Sequence, residues 1–92
     1  MASLHQLNSV QKLPHCLRLL AAGDRLLLTE IAVTLILDTQ ALQQLPAGVE
    51  LLALADDLVA RGLSEKLPSG IKALSDTQWV EATLEAERVC SW

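Results

Sequence analysis

Asp24-Arg25-Leu26-Leu27-Leu28-Thr29-Glu30 is the stretch on which the fold turns. Successive residues of a strand face opposite sides of a sheet, so three leucines in a row place apolar groups on both sides. A strand buried on both faces belongs in a parallel sheet covered by helices. Outward from it, short β-like and helix-like runs alternate, as in α/β layer folds. Toward the N-terminus, Gly23 ends a helix that Pro14 opens, since proline at the first turn loses no hydrogen bond. That helix carries Leu17, Leu20 and Ala21. Ser3–Leu7 is a first strand with Leu4 and Leu7 available for burial, and Asn8 to Leu13 is polar and irregular.

Toward the C-terminus, Ile31–Leu37 fits either element by periodicity, and its place after a buried strand favours a helical start. Ala41–Leu45 adds a helical turn before the punctuation Pro46-Ala47-Gly48. Val49–Leu54 reads as a buried strand and Ala55–Arg61 as a helix with Asp56 and Asp57 near its positive end. Gly62 caps that helix and Leu63 packs back on it. Ser64–Gly70 is a loop and Ile71–Leu74 a strand. Ser75-Asp76-Thr77-Gln78 has the capping-box form. It opens a helix with Trp79, Val80, Thr83 and Leu84 on one arc and Glu81, Glu85 and Glu87 more exposed. Val89–Trp92 forms a last strand. The expected architecture is a single α/β domain over residues 1–92. It has three layers, α/β/α, around a mainly parallel sheet of four to five short strands.

The chain has 92 residues and a formal net charge of −4. Its seven Lys and Arg are scattered, and it has two Trp but no Phe or Tyr. Direct binding of nucleic acid needs a basic footprint and stacking platforms, and neither is present. Hydrophobic residues make up 51% of the chain, slightly above the usual share of about 45–50%. The excess suggests apolar surface covered by a partner, against the plainer reading of a Leu/Ala-rich core. No basic leader precedes an apolar run, and Ile31–Leu37 is too short to span a bilayer. A cytoplasmic protein with reduced thiols is expected, with a Cys16–Cys90 disulfide as the alternative.

Cys16 is the residue with the most chemistry to offer. In the first turn of the helix opened by Pro14, free N–H groups and the helix dipole would stabilise a thiolate and lower its pKa. Such a thiolate could carry a persulfide; the competing reading is a small buried hydrophobe. Cys90 reads as core or edge-strand filling, and His5 as a packed or hydrogen-bonded side chain. Asp56-Asp57 suits a helix start better than acid–base work. No Gly-rich phosphate loop, metal-spaced cluster or cofactor motif is seen, so no cofactor and no metal are expected.

Four stretches together resemble the TusB/DsrH family. They are Leu4-His5-Gln6-Leu7-Asn8-Ser9; Cys16-Leu17-Arg18-Leu19-Leu20 followed by Gly23-Asp24-Arg25-Leu26-Leu27-Leu28; Ala53-Leu54-Ala55-Asp56-Asp57-Leu58-Val59-Ala60-Arg61-Gly62-Leu63; and Thr77-Gln78-Trp79-Val80 with Trp92. The third, similar to the family's AL-x-x-DL-x-ARGL segment, is the most specific. The resemblance implies a DsrE-like fold and assembly with TusC/DsrF-like and TusD/DsrE-like subunits into a heterohexamer. It implies an accessory subunit of a sulfur-relay complex on which sulfur carrier proteins act, serving 2-thiolation of the wobble uridine in tRNA. The alternatives are a DsrH-like role in sulfur oxidation, or sulfur transfer by this chain itself through Cys16. In the family the main sulfur-carrying cysteine belongs to the TusD/DsrE-type subunit. Trp79 and Trp92 are interface candidates, with core packing as the competing reading. The chain departs from the family where Ile31-Ala32 stands in place of a frequent Asp-Gly pair, so that turn must differ.

Overall fold

The computed structural model describes residues 2–92. Strands β1 (Ser3–Leu7), β2 (Arg25–Leu28), β3 (Glu50–Leu54), β4 (Lys72–Leu74) and β5 (Arg88–Ser91) form one sheet in the order β4-β3-β2-β1-β5. Every neighbouring pair is parallel. The α-helices are α1 (Leu13–Leu19), α2 (Thr39–Gln43), α3 (Ala55–Ala60) and α4 (Asp76–Glu85).

The leucine triplet sits at the centre, as its pattern requires. Leu26 and Leu28 join Leu7, Leu51 and Ala53 in a core covered by Leu13 and Cys16 of α1, Ala41 of α2 and Leu58 of α3. Leu27 points the other way, to Leu4, Leu52 and Leu74 beneath Ala82 of α4. All three leucines are at most 1% exposed, and each contributes roughly 1.5–3 kcal/mol by leaving water. The three-layer α/β/α architecture follows from these two cores on opposite faces.

Local chemistry fixes the helix ends. Ser75 Oγ accepts from the Gln78 N–H and Gln78 Oε1 accepts from the Ser75 N–H, completing the capping box of α4. Gly62, at φ 67°, closes α3 in a conformation that glycine tolerates. The N–H of Leu63 then reaches back to the Leu58 carbonyl at 2.8 Å, with Leu63 buried. Gly48 meets a second demand, since a Cβ there would lie 3.0 Å from the Ala22 Cβ.

Several boundaries move. Val10–Lys12 is a 3₁₀ turn inside the stretch read as irregular, and α1 stops at Leu19 because Leu20 turns extended. The ambiguous apolar run becomes a 3₁₀ helix, Glu30–Leu37. Its buried residues are Ala32, Val33, Leu35 and Ile36; the pairs three apart match the three-residue turn of a 3₁₀ helix. Ser64–Lys66 is a further 3₁₀ turn within the expected loop. The packed arc of α4 is also corrected. Ala82 is buried and Trp79 and Ala86 pack beside it, while Val80 and Leu84 are 58% and 80% exposed. A small residue at 82 lets the helix approach the leucine floor, and that contact sets its rotation.

Candidate functional site

Strands β1 to β4 advance in one direction across the sheet, and the β4–α4–β5 crossover returns on the opposite face to the far side of β1. The order therefore reverses at β1. In open α/β sheets, ligands gather outside the carboxyl ends of the strands at such a reversal. Here that place holds Trp92. Its N–H donates to the Gln6 carbonyl at 2.8 Å, and its carbonyl accepts from the Asn8 N–H at 3.3 Å.

Strand register places His5 beside Leu26 on one side and Cys90 on the other. All three face α1. The His5 side chain is 2% exposed and fully engaged. The Trp92 indole N–H donates to His5 Nδ1 at 3.2 Å, and the rings stack at 6.2 Å between centroids and 14° between planes. An indole N–H can only donate, so Nδ1 must be the accepting nitrogen and the neutral ring carries its proton on Nε2. That nitrogen lies 3.4 Å from Asp24 Oδ2. The Asp24 carboxylate also accepts from the N–H groups of Ser3 at 2.9 Å and Ala21 at 3.0 Å. Burial pushes its pKa up, but these two N–H groups and the facing imidazole outweigh that effect and hold it below the ordinary value. His5 is thus a hydrogen-bonded core residue.

Cys16 lies on the core side of α1 with no exposed surface. Its thiol is pushed up to about 11, first by burial and second by the proximity of Cys90. The expected lowering by the helix start does not occur. Free N–H groups favour a thiolate at a water-facing position, whereas this sulfur points into leucines and desolvation dominates. Cys90 is half-buried, and both thiols are free.

The turn after β2 is strained. Glu30 has φ 52°, a left-handed value rare for a side-chain-bearing residue. Its N–H donates to Asp57 Oδ2 at 2.7 Å, which ties the turn to the first turn of α3. Asp57 is a structural acceptor there.

On the other face, the Trp79 indole N–H donates to Gln6 Oε1, and Gln6 Nε2 donates to Ser91 Oγ. Gln6, Trp79, Val80 and Thr83 line a shallow groove of about 230 Å³. The two tryptophans therefore lie on opposite sides of the sheet, each anchored to β1. Among the described residues, no three His, Cys, Asp or Glu are placed to hold a metal ion. No helix among them is long and apolar enough to cross a membrane.

A family model described as "DsrH like protein" matches residues 8–89. The chain belongs to this DsrH-like family. It is 36% identical over 78 residues to Protein TusB of Escherichia coli O81 (strain ED1a) and, equally, to that of Escherichia coli O6:K15:H31 (strain 536 / UPEC). The match covers 83% of this chain and 82% of each relative. The crystal structure of the ychN protein from E. coli superposes with a TM-score of 0.76 over 100% of both chains, at 21% identity. That likeness speaks for the α/β fold alone. In this DsrH-like chain, His5 and Trp92 fall outside the matched span, so their roles rest on geometry. Asp24 and Gln6, to which the sequence reading assigned no role of their own, emerge as the polar anchors of the two faces. Most of their partners are distant in sequence: Ser3 and His5 for Asp24, and Trp79 and Ser91 for Gln6.

Proposed function

We propose that this chain is an accessory subunit of a sulfur relay serving 2-thiolation of the wobble uridine in tRNA. Membership of the DsrH-like family and the likeness to TusB proteins support the relay. The observation that carries the accessory role is the state of Cys16, which has no exposed surface and keeps its proton well above neutral pH. A sulfur carrier must present a thiolate to a donor and then to an acceptor. Of two cysteines in the chain, the one in a helix start is sealed into the core. Sulfur would then travel on a cysteine of a TusD/DsrE-like partner, in a heterohexamer that also holds a TusC/DsrF-like subunit. This chain would contribute surface, with Trp79 beside exposed Val80 and Leu84 as one contact and Trp92 as another.

Co-expression with the two related subunits, followed by sizing and by measurement of 2-thiouridine in cellular tRNA, tests the proposal. The chain is expected to co-elute with both partners. Its deletion should lower tRNA thiolation, and Cys16→Ala should restore it whenever the variant folds. A monomer that ignores both subunits would sink the assembly. A mass gain of one sulfur on the Cys16 peptide, with thiolation lost in a folded Cys16→Ala variant, would move the chemistry to this chain.

A further inference from the structure

We propose that His5 is a proton-operated catch that holds the Trp92 indole over the switch point of the sheet and lets it go when the imidazole takes up a second proton. The asymmetry of the two ring nitrogens carries the inference. Nδ1 accepts from the Trp92 indole N–H at 3.2 Å, and the indole nitrogen has no lone pair to offer in return. A proton added at Nδ1 would set two donors against each other. Nε2 faces Asp24 Oδ2 at 3.4 Å, an arrangement that a charged imidazolium strengthens. Protonation therefore has opposite effects on the two sides of the same ring. It seats His5 more firmly on Asp24 and ejects Trp92.

The surroundings keep the effect local. From β2 the titratable group facing His5 is Asp24, whose carboxyl is held below its ordinary range and so stays charged as the pH falls. From β5 it is Cys90, beside His5 in register. From α1 it is Cys16, a neutral thiol at these pH values. Arg25, the other charged residue on this end of β2, is paired with Glu50 on the α4 face. The Cys16 thiol keeps its proton, so the imidazole is the group that acts on Trp92. The Trp92 N–H keeps its bond to the Gln6 carbonyl, which does not titrate. The ring is thus freed before the strand. An indole packed against the larger core then turns outward and opens the carboxyl end between β1 and β5.

Nuclear magnetic resonance on the full chain reads each step. Long-range nitrogen–proton spectra near neutral pH should show His5 with its proton on Nε2. The Trp92 indole N–H should exchange slowly with water. On acidification, its exchange should quicken at least tenfold along the same curve as the His5 ring protons. The Trp79 indole and the β1–β2 amides should not move. A His5→Gln variant keeps an acceptor oxygen without a titrating group and should leave Trp92 insensitive to pH; if it does not fold, the wild-type titration decides alone. A proton on Nδ1 at neutral pH overturns the proposal. So does a Trp92 signal that ignores the His5 titration, or a loss of all protection at once.

Discussion

The N–H of Glu30 is held by the carboxylate of Asp57 at 2.7 Å, and this bond fixes a left-handed turn at a residue that is not glycine. The left-handed conformation costs a residue with a Cβ roughly 1–2 kcal/mol, and glycine escapes most of it. Glu30→Gly is therefore expected to keep or raise stability by up to about 1 kcal/mol, the unfolded chain's extra freedom offsetting part of the gain. Asp57→Ala should cost about 1 kcal/mol by removing the acceptor. Urea unfolding of the two variants checks both signs. A clear loss in Glu30→Gly would show that the turn is not strained.

Asp24 gives acid sensitivity of defined sign. Its carboxyl is depressed in the folded state, so the folded chain binds fewer protons there than the unfolded one. That contribution is present above the ordinary carboxylate range and is lost as the pH falls through the folded value. Asp24→Asn keeps only one acceptor oxygen for the Ser3 and Ala21 N–H groups. It should cost about 2–3 kcal/mol near neutral pH. Its stability should also depend less on pH than that of the wild type as the pH falls through and below the ordinary carboxylate range. Denaturant midpoints over that range make the comparison.

Cys16 predicts the opposite edge of the pH scale. Its thiol is raised from 9.0 to about 11, so above pH 9 the unfolded chain sheds a proton that the folded chain keeps. Stability is unaffected below the unfolded value. It should fall by up to about 2 kcal/mol as the pH climbs toward 11, and Cys16→Ala should lose that slope. Thiol reagents at pH 8 should label half-buried Cys90 first and reach Cys16 at a rate set by unfolding. Rapid native labelling of Cys16 would contradict the burial.

Two neighbouring positions on α4 should separate packing from assembly. Ala82→Leu forces extra methylenes against Leu4, Leu27 and Leu52 and should cost about 1–3 kcal/mol. Leu84→Ser, at an 80% exposed position, should stay within about 0.5 kcal/mol of the wild type. If the proposed assembly uses this face, the same change should weaken co-elution with the related subunits. Thermal unfolding and analytical sizing read the two effects independently.

Some short-range features were legible in the sequence. The leucine triplet announced a strand buried on both sides, and Ser75 with Gln78 announced a reciprocal cap, because each depends on neighbours within four positions. Sheet order was not legible: the pairing of β1 with β5 leaves no mark on either strand. With it went the meeting of His5, Asp24 and Trp92. Cys16 shows how a local argument fails. The helix start was placed well, but whether a sulfur there meets water or leucines depends on which side of α1 lies on the sheet. The burial of α4 was misjudged for a related reason, since Val80 and Leu84 have apolar side chains but face away from the sheet.

The junction of β1 with β5 also governs how the molecule can come into being. A side-chain bond across it, from Gln6 to Ser91, spans 85 positions. Parallel pairing over such a span closes a long loop before any contact offsets the lost freedom, which slows folding. Until β5 arrives, β1 is an unprotected edge with open N–H and C=O groups, able to template pairing with another chain. During synthesis β1 emerges before β5 and waits for the sequence between them. Chaperoning or timely capture by a neighbour should matter most in that interval.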